Sequence, residues 1–355
     1  MPQIPSIQHN NKTNSITVDV GHSDAILSFD LSNHHDAQQI LCTSSYDHSI
    51  QLYDLHHKQN ISQIRPNNNS GLDISHVKLY TPSLLQHGFI YAIIGNCIHI
   101  YDLRNISQEL FILKCFDDQE NELNSLDMVG ENACTCDDDG NIYIFSNQLN
   151  GSELKIKKVL KNVHENICMN VKLRPNTSCE VISGGLDQKY IHQNWKSNNV
   201  LFKGDSTQWV PSFKTSQQVI NPPYIHSLDI NKRDSRSVIG LGNGSIVMFD
   251  LSAQHSKFVA FNNAHSYIVN NIQFMNDQLY SDHFMSASLD GIINIWKYES
   301  KGPLKPASKK ISQSLLPIVW NVNTGNKIEC AKYSNGYVYV SYENGTTIDK
   351  ISMTH

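Results

Sequence analysis

One short plan recurs seven times along this chain, and no other feature limits the fold as tightly. "SASLDGIINIWKY" (Ser286–Tyr298) runs from small polar residues to an acid beside a turn, then through alternating apolar and polar positions to an aromatic. "TSSYDHSIQLYDL" (Thr43–Leu55), "CTCDDDGNIYIFS" (Cys134–Ser146), "SGGLDQKYIHQNW" (Ser183–Trp195) and "GLGNGSIVMFDL" (Gly240–Leu251) follow the same plan. "IIGNCIHIYDLR" (Ile93–Arg104) and "SYENGTTIDKIS" (Ser341–Ser352) follow it more loosely. The turn residues are Asp47, Gly95, Asp139, Asp187, Asn243, Asp290 and Asn344, at intervals of 44 to 56 residues. Self-similarity at such a period marks a repeat architecture.

Each unit carries four strand signals. In the first unit these are residues 25–32, 39–45, 49–55 and 61–65. Short alternating strands joined by Asn, Asp, Gly and Ser turns describe an antiparallel meander. One four-stranded meander cannot cover both of its faces, whereas seven stacked around an axis cover one another. The expectation is an all-β, seven-bladed propeller forming a single domain over residues 1–355. SITVDV, within residues 14–20, precedes the first complete unit, and the last unit stops after its third strand. The N-terminal segment is therefore expected to close the last blade, which removes an exposed edge. Residues 204–223 and 299–317 read as loop insertions.

Three units place a histidine 23 to 25 residues before the turn acid: His22 before Asp47, His164 before Asp187, and His265 before Asp290. In a meander the loop entering the first strand and the turn between the second and third lie at one end. A His–Asp hydrogen bond there, backed by a strand Ser and an aromatic such as Trp296, would fasten the corner of a blade by ~1–3 kcal/mol. Recurrence argues for fastening over catalysis, because an active site needs no dispersed copies.

These features resemble the WD40-repeat family over essentially the whole chain. "GHSDAILSFDLS" is similar to a repeat start and "SASLDGIINIWKY" to a repeat end. Tyr53-Asp54, Tyr101-Asp102 and Phe249-Asp250 stand where the family has Trp-Asp, and Gln193 stands where the fourth aromatic belongs. The resemblance implies a seven-bladed WD40 β-propeller that binds proteins. It also gives meaning to "IYDLRN" (Ile100–Asn105). In WD40 substrate receptors of cullin-type ubiquitin ligases, a W-D-x-R signature ends the third strand of a blade, and its Arg docks on the ligase adaptor. Tyr101-Asp102-Leu103-Arg104 matches with Tyr for Trp. Stretches 164–187, 219–230 and 318–323 resemble the WD repeat-containing protein 53 family, which implies the same role.

Chemistry is hard to find elsewhere. There is no phosphate-binding loop and no G-x-S-x-G, and "CDDDGN" lacks the spacing of a calcium loop. No catalytic residue, cofactor or metal is expected. His76, Asp127, His226, Asp229 and Glu329 on the innermost strands read as scattered, too few for a channel enzyme. Trp209 and Phe213, in the 204–223 insertion, either anchor a partner or cover the propeller edge. The basic stretch 301–310 lacks the interleaved aromatics of a nucleic-acid surface. A net charge of −5 gives no general attraction for nucleic acid or anionic membrane. No signal peptide or membrane span is legible, and eight cysteines read as free thiols of an intracellular protein of the cytoplasm or nucleus. The expected partners are proteins: the cullin-4 ligase adaptor and an unidentified substrate, bound by a monomeric propeller. The rival reading is a scaffold subunit of another complex, in RNA processing or trafficking.

Overall fold

The computed structural model describes residues 15–353, apart from 33–38, 67–70, 82–87, 119, 150–153, 178, 211–220, 234, 254–256 and 299–316. Its strands form seven four-stranded antiparallel sheets. In blade 1 the strands are Ile26–Leu31, Ile40–Ser45, Ile50–Asp54 and Gln59–Ile64, in chain order from the axis outward. Blades 2 to 6 repeat this order. Blade 7 takes three strands from Ile328–Ser352 and its outermost strand, Ser15–Asp19, from the other end of the chain. Ser15–Asp19 pairs antiparallel with Thr347–Ser352, and Thr17 Oγ1 donates to Asp349 Oδ1 at 2.7 Å. The molecule is therefore a seven-bladed propeller closed by its N-terminal strand.

Packing follows the blades. The buried apolar residues fall into seven clusters, one at each junction between neighbouring blades. Between blades 7 and 1 the cluster holds Val18, Phe29, Leu41 and Tyr339. Between blades 4 and 5 it holds Tyr190, Trp209, Ile225 and Phe249. Each blade thus buries its two faces against different neighbours, and the second strands, on central positions, are buried along most of their length.

Two irregularities recur and aim side chains. In every blade except the sixth, the pairing of the first and second strands slips by one residue near the start of the first. Such a bulge bends the strand and turns the extra residue outward. His226 and Glu329 are two of these extra residues, and both line the axial channel. The second irregularity concerns turn glycines. Gly140 and Gly244 have φ of +77° and +80°, and a Cβ on either would lie 2.3 and 2.2 Å from the carbonyl oxygens of His164 and His265. Only glycine lets the turn of one blade press so closely on the corner of the next.

Candidate functional site

The loops of a propeller form two faces. One holds the entries to the first strands and the turns between second and third strands, and the three pairs His22–Asp47, His164–Asp187 and His265–Asp290 lie there. In blade 6, Trp296 Nε1 donates to Ser286 Oγ at 2.8 Å, so the serine proton is directed to His265 Nε2, 2.7 Å away. That leaves the His265 proton on Nδ1, facing Asp290 Oδ1 at 3.4 Å. Asp290 also accepts the backbone N–H groups of Ser266 (2.8 Å) and Ile292 (2.9 Å). Burial raises the Asp290 pKa, but these donors and His265 outweigh it and hold the carboxyl at about 2.

Blade 1 repeats the arrangement. His22 Nδ1 donates to Asp47 at 2.9 Å and Nε2 accepts from Thr43 at 2.8 Å. Burial pushes the His22 pKa down against the raising effect of Asp47. In blade 4, His164 reaches Asp187 at 2.9 Å and Ser183 at 2.8 Å. The aromatic is missing there: Gln193 is buried and its Nε2 has no partner among the described residues.

Blade 3 has no histidine and builds its corner differently. The hub is Asp137, fully buried, which the spacing pattern passed over in favour of Asp139. Its carboxylate accepts from Asn121 Nδ2 (3.1 Å), Asn141 N (2.7 Å), Asn141 Nδ2 (2.9 Å) and Tyr143 OH (2.8 Å). Four donors occupy its lone pairs, which agrees with reading CDDDGN as a turn and not as a calcium loop. Thr135 holds the place of Thr43 and Ser183, and with no imidazole opposite, its Oγ1 is buried without a partner among the described residues.

The opposite face carries Tyr101, Asp102 and Arg104. Tyr101 is no surface residue: it is 2 % exposed, packs at the junction of blades 1 and 2, and donates to Glu109 Oε1 at 2.7 Å. This corrects its reading as a partner contact, because the aromatic of the pattern points into the blade. Asp102 Oδ1 accepts the backbone N–H of Arg104 (2.9 Å) and its Nε (3.0 Å), and Asp102 Oδ2 accepts from Nη2 at 2.5 Å. The Arg104 side chain remains 63 % exposed. Asp54, Asn194 and Asp250 cap the equivalent turns of blades 1, 4 and 5. The turn-capping Asp or Asn is thus a repeat feature, but the residue two places on is His56, Lys196 or Ser252 in those blades and an arginine only here.

Trp209 also departs from the reading as a partner anchor. It is 7 % exposed, its ring lies 4.8 Å from that of Phe249, and Gly204 leaves it room. It covers the junction of blades 4 and 5, since the chain after blade 4 folds back over the edge. Phe213 and residues 301–310 lie outside the described residues.

His76, Asp127, His226, Asp229 and Glu329, scattered in the sequence, converge on one axial channel of about 720 Å³. Burial, then Lys332 and Lys78, lower the His76 pKa to about 3, and burial lowers that of His226. Among the described residues, no group of three or more His, Cys, Asp or Glu side chains is placed to hold a metal ion, and no helix is long and apolar enough to cross a membrane. All eight cysteines are free.

Seven radial sheets, a closing strand from the N-terminal end and hydrogen-bonded His–Asp corners define a seven-bladed β-propeller whose repeats are similar to those of WD40 proteins. The family model for the WD domain, G-beta repeat, matches residues 13–54, the first unit. Over 325 residues the chain is 26% identical to WD repeat-containing protein 53 homolog of Dictyostelium discoideum, covering 84% of this chain and 80% of that one. Propellers of this kind generally bind other proteins and act as scaffolds.

Proposed function

We propose that this propeller is a non-catalytic substrate receptor of a cullin-4-type ubiquitin ligase, docking on the ligase adaptor through Arg104 and holding its substrate on the corner face. The observation that carries this reading is the exposed Arg104 guanidinium, oriented by Asp102 and present in one blade only. A bidentate carboxylate fixes the plane of the guanidinium and limits the rotamer entropy lost on docking. The two faces also differ in charge. Among the described residues, the corner-face loops hold thirteen Asp and Glu against three Lys and Arg, and the opposite loops hold three against eight. Two faces of opposite sign suit two different partners.

Affinity purification with mass spectrometry tests this. Arg104→Ala should abolish adaptor and cullin recovery while the melting temperature stays within about 1 °C, as expected of a surface change. Undiminished recovery of the adaptor with Arg104→Ala defeats the docking role. A second reading is a scaffold subunit of another complex, in RNA processing or trafficking. It is favoured by Asp102, whose bonds to the Arg104 backbone and side chain account for the motif within the chain itself. Wild-type protein that recovers a stable assembly without adaptor or cullin supports that reading.

A further inference from the structure

The middle of each innermost strand presents one polar residue, flanked by apolar neighbours, to the axial channel. Blades 1, 3 and 5 contribute Asp30, Asp127 and Asp229; blades 2, 4 and 7 contribute Lys78, Lys172 and Lys332; blade 6 contributes Gln273. Around the axis the signs alternate from blade 7 through blade 5.

Contacts from these residues cross every junction. Lys332 Nζ donates to Asp30 Oδ1 at 2.7 Å, joining blades 7 and 1. Lys78 Nζ is 3.6 Å from Asp127 Oδ1, joining blades 2 and 3. Lys172 Nζ is 3.6 Å from Asp127 and 3.9 Å from Asp229, joining blade 4 to blades 3 and 5. The second oxygen of each acid takes a backbone N–H of the next blade: Leu79 to Asp30 (2.9 Å), Leu173 to Asp127 (3.0 Å) and Phe274 to Asp229 (2.8 Å). Gln273 does both tasks at the last junction: its Oε1 accepts Tyr333 N–H at 2.8 Å and its Nε2 donates to Tyr333 O at 3.3 Å. The innermost strand is a sheet edge whose outward N–H groups have no strand partner, and these acceptors satisfy them. Burial raises the Asp30 pKa, but Lys332, Lys78 and the Leu79 N–H bring it down to about 2.

We propose that this ring is a closure device, in which opposite charges across the junctions fix the order of the blades and Gln273 is the neutral joint that an odd ring of alternating signs requires. Seven positions cannot alternate without one break. An amide fills it because it both donates and accepts and repels neither Asp229 nor Lys332. The lysines and aspartates are equal in number, so the ring offsets its own charge. A blade docked out of order would set like charges together, which disfavours the wrong closure.

The test uses the full chain, with thermal and urea unfolding at low and high salt. Gln273→Lys meets Lys332 and Gln273→Glu meets Asp229, so each should lower the melting temperature by several degrees, and more at low salt. Gln273→Met, neutral and of similar size, should lose less than either. Pairing Gln273→Lys with Lys332→Met, or Gln273→Glu with Asp229→Asn, should recover part of the loss, making the double variants more stable than the sum of the singles. Simple additivity, or charged variants as stable as wild type at both salt concentrations, overturns the proposal. Should the charged variants fail to fold, the cycle of Asp30→Asn and Lys332→Met decides. Its double variant should lose clearly less than the two singles combined, and additive losses there also overturn the ring.

Discussion

Asp290 in blade 6 and Asp102 in blade 2 each stand beside a tight turn, and each holds a basic side chain. They differ in where the charge ends up. Asp290 directs its oxygens inward, to His265 and two backbone N–H groups, and its partner histidine is fully buried. Asp102 caps its turn in the same manner but leaves the guanidinium of Arg104 in solvent. The difference teaches how to read a repeat. Where an acid returns in blade after blade with a buried partner, the fold accounts for it. Where one blade adds an exposed side chain that the others lack, the repeat alone does not account for it.

The comparison can be broken first at its buried end. Asp290→Ala leaves His265 Nδ1 and two N–H groups without their acceptor and should cost about 3 kcal/mol, seen as a lower urea midpoint with adaptor recovery unchanged. Acid should act on the same group. The folded pKa of Asp290 lies below its unfolded value, so its contribution is complete above about pH 4 and fades as the pH falls toward 2. Asp47 and Asp187 are lowered likewise, and Asp30 titrates in the same window. Thermal melts from pH 5 to 2.5 should show this slope, and Asp290→Asn should flatten only part of it. A smaller effect separates two threonines in one structural position. Thr43→Val removes a donor to His22 and should cost about 1 kcal/mol, whereas Thr135→Val removes an unpartnered hydroxyl and should be neutral or slightly stabilising. Equal effects in urea titrations would mean that the imidazole is not what the hydroxyl serves. Smallest of all on stability is Arg104→Ala, whose expected consequence is confined to binding.

How legible these regions were depends on how the information is distributed. His22, His164 and His265 and their acids recur at nearly fixed offsets, because the corner geometry constrains chain length between them. The blade 3 corner kept the geometry but changed the chemistry, so Asp137, Asn121 and Asn141 matched no offset. Trp209 was ambiguous because only tertiary packing distinguishes an exposed ring from a covering one. The channel ring was missed for another reason. Its signal is present in Phe29-Asp30-Leu31, Val77-Lys78-Leu79, Leu126-Asp127-Met128 and Val171-Lys172-Leu173, a polar residue between apolar ones in each first strand. His76, Asp127, His226, Asp229 and Glu329 stand in the sequence as isolated acids and imidazoles, and the lysines that pair with two of them carry no catalytic signature.

The pairing of Ser15–Asp19 with Thr347–Ser352 sets a schedule for biosynthesis. At roughly 5–20 residues per second, the partner of that first strand leaves the ribosome tens of seconds after it. Until then the growing polypeptide must carry Ser15–Asp19 as an unmatched strand and blade 7 as an incomplete sheet. Errors in Thr347–Ser352 would therefore be felt by Ser15–Asp19, made long before it.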